Sequence, residues 1–396
     1  MSEPGQSLPF TPEEFRSRMS RVQTAMADQE LDLLVITDPC NLYYLSGYDA
    51  WSFYVDQALL VPPDGDPVWV GREMDQPAAA ATTWLHPTHL VPYPDSLVQA
   101  SDCHPMEFVA DEIARRGWAR GHIGLELDGY FFSPRARDVL ASQLTDEAQL
   151  EDASDVVRWL RAVKSPAELA YLSEAAQIVE AAMNKAIDLV REGARQSAIV
   201  AEVYREQIRG VGGVGGQYTS TPPLMPTGRR TAAPHLSWTD DDLRAGEPTT
   251  IELVASRHRY HTPLARTVFL GEPTSEYLRT AEAAVEVLTE TLDQVKPGMT
   301  SDDTARIWHE GAGSRGISKS SRLGYSFGIA YPPTFGERTL SIRRGDSTVL
   351  EENMTLHLIP GIWSDDWGLV ISEPILITAE GATPLCSVPR RLIIKE

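Results

Sequence analysis

Glu252 stands between Ile251 and Leu253 in the apolar run Thr249–Ala255, whose length and composition predict a strand. A carboxylate buried there without a partner costs several kcal/mol, so the position implies a counter-charge or a ligand. Directly after it, RHRYHTPLARTVFL carries His258, Tyr260, His261 and Arg266 in a hairpin-like stretch. Strand alternation places Tyr260 and His261 on opposite faces, so only one of them need point at a site. His357 lies in the strand-like run Met354–Ile359 and Glu373 in Leu369–Thr378. Three strands thus each carry an acid or a histidine among apolar residues. His235 follows Pro234 in a loop just before the strand of Glu252, and an imidazole titrates close enough to neutrality to move protons. Carboxylates and imidazoles gathered this way suit acid–base or metal chemistry; the competing reading is a set of separately satisfied polar groups. Gly210–Gly216 (GVGGVGG) lacks the Gly-Lys-Ser/Thr ending and follows a helix instead of opening one, so it reads as a flexible connection and not a phosphate loop.

The elements that must position these groups fall into two parts. Thr11, Pro12 and Glu14 form a capping box ahead of Phe15, Met19, Val22 and Met26 at helical spacing. Strand-like runs follow at Leu31–Thr37, Ala58–Val61, Pro67–Val70 and Ile123–Leu127, with a helix over Pro105–Arg116. This predicts an α/β domain over residues 1–160. A second cap at Ser165-Pro166-Ala167-Glu168 opens a long helix that ends near Gly193, and another helix covers Ser197–Ile208. The pattern recurs with a helix at Thr274–Val295, Gly298, and a helix from Ser301 to Glu310. Each pair is followed by strand-like sequence, which predicts two α/β halves related by a pseudo-two-fold over residues 161–396. A cleft between such halves is a natural ligand site.

Composition narrows the partners. The 396 residues carry 35 Lys and Arg against 56 Asp and Glu, a net charge of −21. Such a chain repels nucleic-acid phosphates and anionic lipid, so neither is expected as a partner. Cys40, Cys103 and Cys386 are too few and too scattered for a disulfide framework or a zinc ribbon. The segment MSEPGQSLPF has no basic stretch leading into an apolar one, and no run of 18 apolar residues occurs. The expected location is the cytoplasm.

Several segments together resemble one family. RAVKSPAELAYLSEAA, Pro234-His235, RYHTPLARTVFLG (259–271), GYSFG (324–328) and NMTLHLIPGIW (353–363) are similar, in order and spacing, to the creatinase/aminopeptidase P family with its pita-bread catalytic domain. The resemblance covers the whole chain. It implies a mixed α/β (α+β) protein with an N-terminal creatinase-like domain and a C-terminal pita-bread domain. The metal-dependent members hold two divalent ions through two aspartates, a histidine and two glutamates. Here those positions fall on Glu252, Pro263, Tyr325, Ile359 and Ser372, or on Glu373 if the register slips by one. Proline and isoleucine offer no side-chain lone pair, so no metal cofactor is expected. GYDAWSFYV (47–55), YPPTFGERT (331–339) and WSDDWGL (363–369) resemble the ectoine hydrolases, a metal-free branch that opens a cyclic amidine bearing a carboxylate.

The resemblance implies hydrolysis of a C–N bond in a small cyclic amidine, ectoine or 5-hydroxyectoine, to an N-acetylated diaminobutyrate. Glu252 and Glu373 are expected to cradle the amidinium by charge-assisted hydrogen bonds. His235 is expected to shuttle the proton, with Tyr325 and His261 bonding the tetrahedral intermediate. Attack by water and attack by a carboxylate both remain open. Tyr331, His357 and Arg338 are further expected ligand contacts. Trp51, Phe53 and Tyr54 are expected to wall the site of a second subunit in a homodimer. A metallopeptidase with unusual ligands and a non-catalytic peptidase-like binding module are the competing readings.

Overall fold

The computed structural model describes residues 8–396, and the chain divides into two compact units, Met1–Arg161 and Ala162–Glu396. In the first unit a six-stranded sheet is built from β1 (Leu33–Ile36), β2 (Ala58–Val61), β3 (Val68–Arg72), β4 (Leu90–Tyr93), β5 (Gly121–Leu125) and β6 (Ala148–Asp152). Its order is β4-β3-β2-β1-β5-β6, antiparallel at β1–β2 and β2–β3 and parallel elsewhere. Helix α1 (Pro12–Asp28) is capped by Thr11, whose Oγ1 accepts from the Glu14 N–H at 3.3 Å. The expected capping box does not close: the Glu14 carboxylate accepts instead from Arg18 Nη2 at 3.1 Å, a full charge outcompeting a backbone N–H.

The second unit opens on α2 (Pro166–Leu189), where the Ser165–Glu168 capping box is complete. The remaining Glu168 oxygen, Oε1, accepts from Tyr260 Oη at 2.8 Å and ties the helix start to a strand 92 residues away. Helix α3 (Gln196–Arg209) packs on α2. Strands β7 (Pro248–Arg257) and β8 (Tyr260–Leu270) form an antiparallel hairpin, joined in a three-stranded sheet by β9 (Ile393–Lys395) alongside β8. The two-residue turn, His258-Arg259, has φ of 47° and 63°, the left-handed pair that a type I′ hairpin turn requires. Neither residue is glycine. The strain is offset by stacking: Tyr171 lies 4.5 Å from the His258 ring, and the Arg259 guanidinium sits 3.6 Å from the Tyr218 ring centre.

The pattern then repeats. Helices α4 (Ser275–Gln294) and α5 (Ser301–Ser314) pack together and cover a five-stranded sheet. Its strands are β10 (Gly324–Phe327), β11 (Gly336–Ile342), β12 (Thr355–Leu358), β13 (Glu373–Thr378) and β14 (Gly381–Pro384), in the order β11-β10-β12-β13-β14. One core packs α2 and α3 against the β7–β8 hairpin; the other packs α4 and α5 against the five-stranded sheet. The edge of β8 away from β7 is met from this second half: Ala265 N–H donates to Ser372 Oγ at 2.8 Å, and His261 N–H donates to the Gly328 carbonyl. The expected strand Leu369–Thr378 is interrupted, because residues 370–372 leave the sheet to bond β8.

On its outer side β7 does not face solvent as a bare edge. Glu252 exchanges both backbone hydrogen bonds with Leu224, Thr250 N–H donates to Pro226 O, and Gln217 N–H donates to Ser256 O. The segment from 217 to 227 therefore lies along the strand and takes up its free backbone groups.

Candidate active site

Alternation along β7 turns Ile251, Leu253 and Ala255 into the helix-side core and Glu252 the other way. Glu252 is the single partly accessible residue among buried neighbours from Pro248 to Ser256. Its carboxylate makes no hydrogen bond or ion pair with any described residue. Burial pushes its pKa up to about 7. That is a carboxyl with no partner among the described residues.

Tyr325, on β10, lies close enough to Glu252 to feel its charge. Gly324 before it lies so close to β12 that a Cβ would collide with the His357 carbonyl, which draws the two strands together. Tyr325 Oη is 3.4 Å from His357 Nδ1, its cross-strand neighbour. His357 Nε2 is 2.7 Å from Ser372 Oγ. Because Ser372 Oγ accepts from Ala265 N–H and has no other acceptor for its own proton, the serine donates to Nε2. The proton of His357 then sits on Nδ1 and points to the phenol oxygen. The chain runs Ala265 N–H to Ser372 to His357 to Tyr325, and leaves the Tyr325 O–H to donate to a ligand. Burial drives the His357 pKa down to about 3, aided by Arg266 and Arg322, so the ring is neutral. Burial and then Glu252 raise the Tyr325 pKa while Arg322 lowers it, and the phenol keeps its proton. Phe335 walls the pair, 5.8 Å from the Tyr325 ring and 6.0 Å from His357. Its neighbourhood is pinned by the buried Lys164–Glu337 ion pair at 2.6 Å.

Several expected contacts lie elsewhere or do something else. Glu373 is consumed: Oε1 is 2.8 Å from the buried Arg266 Nη2 and 3.2 Å from Nε of the partly exposed Arg390. A carboxylate already matched by two guanidiniums cannot also cradle a cation, so the two-acid cradle reduces to Glu252. Ser372, one residue earlier, is the side chain that reaches His357. His261 shares a face with Glu252 but has both ring nitrogens committed, Nδ1 donating to Arg259 O at 2.8 Å and Nε2 accepting from Ser220 N–H at 3.1 Å. It holds backbone and has no group left for an intermediate. His357 acts through Tyr325. Tyr331 is buried, with the Arg259 guanidinium 5.6 Å from its ring centre. Arg338 is exposed, with φ of 59°, at the irregular pairing of β11 with β10. His235 lies in an exposed loop after the turn Gly228–Ala232, with φ of 67° and no hydrogen bond to a described residue. In the first unit Trp51 and Tyr54 are 59% and 62% exposed, whereas Phe53 is buried between Trp51 and Phe131. Two contributors escaped the sequence reading: Phe335, and Arg322, whose guanidinium lies 4.2 Å from the Tyr325 ring centre.

The positions matching the two-ion site of metal-dependent relatives do not suit metals. Pro263 and Ile359 have no donor atom, Ser372 Oγ is spoken for, and Tyr325 holds its proton. Among the described residues no group of three or more His, Cys, Asp or Glu could hold an ion.

Comparison with known proteins agrees with this architecture. Residues 18–163 match the creatinase/prolidase N-terminal domain, and residues 170–379 match metallopeptidase family M24. The chain is 43% identical over 396 residues to the ectoine hydrolase of Halomonas elongata, covering 98% of this chain and 99% of that one. It is 40% identical over 390 residues to an uncharacterised hydrolase/peptidase, y4tM, of Sinorhizobium fredii, covering 98% and 99%. The prolidase of Thermococcus sibiricus superposes with a TM-score of 0.82 at 19% identity over 96% of this chain and 99% of that one.

Proposed function

The chain belongs to metallopeptidase family M24, with a creatinase/prolidase N-terminal domain, and on that footing we propose that it is a metal-independent hydrolase that opens a small cyclic amidine, ectoine or 5-hydroxyectoine. One observation carries the reading: Glu252, which the family resemblance sets at a metal-ligand position, is a half-buried carboxylate without a partner among the described residues. An amidinium supplies the missing positive charge and matches a carboxylate through two parallel N–H···O bonds. The identity to an ectoine hydrolase supports the same substrate class.

In this reading the ring binds as a cation against Glu252. The central carbon gains an oxygen, from water deprotonated by Glu252 or from Glu252 itself with water following; both routes pass through this carboxylate. The Tyr325 O–H, aligned by His357 and Ser372, donates to the polar atoms of the tetrahedral species. One ring C–N bond then breaks and its nitrogen leaves as an amine after taking a proton. His235 supplies it: its imidazole is exposed and uncommitted, on a backbone strained in the way functional residues often are. The product is an N-acetylated diaminobutyrate. A homodimer acting in the cytoplasm, with Trp51 and Tyr54 of one copy closing the site of the other, completes the proposal.

The test is turnover of ectoine, followed by NMR, after exhaustive chelation and with bound metal measured by mass spectrometry. Ring opening at well under one divalent ion per chain is the expected result. Turnover only after adding manganese, cobalt or zinc, or cleavage of Xaa-Pro dipeptides in place of ectoine, would overturn it.

A further inference from the structure

A cation-rich hollow at the β11 edge of the five-stranded sheet has no part in the mechanism so far. Its volume is about 540 Å³, and Lys319, Arg322, Arg343, Arg344 and His309 line it. The remaining lining consists of hydroxyls, from Ser320, Ser321 and Ser341. No acid lines it, in a chain where acids outnumber Lys and Arg by 56 to 35. Arg344 is matched, its Nε 2.8 Å from Asp302 Oδ1. Lys319 is not: it donates only to neutral groups, Ser321 Oγ at 2.7 Å and Gly361 O at 3.1 Å. Its ammonium lies 4.9 Å from the Trp363 ring centre, and burial pushes its pKa down to about 8. A desolvated ammonium with no counter-ion among the described residues, beside further cations and three hydroxyl donors, suits an anion.

This hollow adjoins the candidate active site. Ser341 is the cross-strand partner of Tyr325 and so shares its face of the sheet. Arg322 stacks on the Tyr325 ring. Tyr325 therefore stands near a lone carboxylate, Glu252, and near a cluster of cations, and feels both charges. A ligand reaching across it is matched when it is positive at one end and negative at the other.

We infer that this hollow is the subsite for a carboxylate carried on the substrate ring, with Arg322 as its main contact. The inference rests on the cyclic-amidine reading above. Stacking on Tyr325 holds the guanidinium plane in place, and a planar fork suits the two oxygens of a carboxylate better than an ammonium does. Lys319 and Arg343 deepen the local positive potential. Arg322 then sets specificity for zwitterionic amidines over rings that are only cationic.

The experiment compares two rings, ectoine and 2-methyl-1,4,5,6-tetrahydropyrimidine, the same ring without the carboxylate. Both are assayed on wild type, Arg322→Ala, Arg322→Lys and Arg338→Ala, with the bare ring scored by its inhibition constant where turnover is slow. A charge-assisted contact predicts that Arg322→Ala lowers kcat/KM for ectoine by about 10- to 100-fold, mainly through KM. The bare ring should change by less than about threefold, on the same principle that no charged partner is lost. Arg322→Lys should fall between. Equal losses on both rings, no loss on either, or a ring-dependent loss in Arg338→Ala alone would overturn the subsite while leaving the cyclic-amidine reading intact. Failure of wild type to turn over or bind either ring would overturn both.

Discussion

The pH dependence of ligand binding offers the sharpest test of Glu252. Burial without a partner places its pKa at about 7, against 4.5 for an ordinary glutamate. An amidinium stays protonated through this range, and it requires the ionised carboxylate. With a pKa near 7, roughly one Glu252 in eleven is ionised at pH 6 and ten in eleven at pH 8, so affinity should fall about tenfold between them. A glutamate at its ordinary value would change binding by only about 3% over the same interval. The binding partner is ectoine and the protein is His235→Ala, which on the proposed mechanism slows turnover and removes an exposed imidazole that could titrate in the same range. Calorimetry should show the tenfold change and, at pH 6, release of about 0.9 proton per ligand bound. His357 and Tyr325 are silent here, the first neutral down to about pH 3 and the second protonated throughout. The sign also fixes a stability trend. Between pH 4.5 and 7 the native state holds a proton that the unfolded chain has lost, so stability falls as pH rises through that window, and Glu252→Gln should abolish that part of the fall. Affinity that is flat from pH 5 to 8, or an equal slope in Glu252→Gln, would refute the assignment.

Three further outcomes follow from the geometry. Glu373→Gln should cost about 3–5 kcal/mol in denaturant titration, because it leaves Arg266 buried with its charge unmatched, and should alter ligand affinity little; lost affinity with unchanged stability would restore Glu373 to the substrate. His235→Ala should lower kcat by about 10²–10⁴-fold while ectoine still binds, and near-normal turnover would demote the residue to a loop position. Mixing inactive His235→Ala chains with inactive Trp51→Ala chains should regain activity if the aromatic pair of one copy closes the other copy's site; subunit exchange without recovery would remove that closure from the proposal.

Local rules made some of this legible. The Ser165 cap, the hairpin and the odd carboxylate at Glu252 each follow from residues a few positions apart, and the structure holds all three. What did not show was the choice between Ser372 and Glu373. Period-2 alternation is a guide only inside a strand, and the chain leaves the sheet at residues 370–372. Glu373 is also claimed by Arg266, 107 residues earlier, a pairing no window on the sequence contains. His261 failed for the same reason: its Nε2 is occupied by a backbone N–H from Ser220, a loop residue with no periodic signature. Arg322 carries no signal in the sequence, because an arginine two residues before a strand is ordinarily surface. Only the fold stacks it on Tyr325.

The segment laid along the outer side of β7 has a bearing on how this protein keeps to itself. A strand with free N–H and C=O groups recruits strands from other chains, and β7 is ten residues long and rich in Thr, Ile, Leu and Val. Leu224, Pro226 and Gln217 occupy those groups from within. Because Leu224 grips the backbone of Glu252 itself, the residue proposed to meet substrate sits at the protected point of the edge. Peeling or shortening residues 217–227 would therefore disable the site and expose an aggregation template in one step. Screens for improved solubility should find this irregular loop less tolerant of change than its glycine-rich approach suggests.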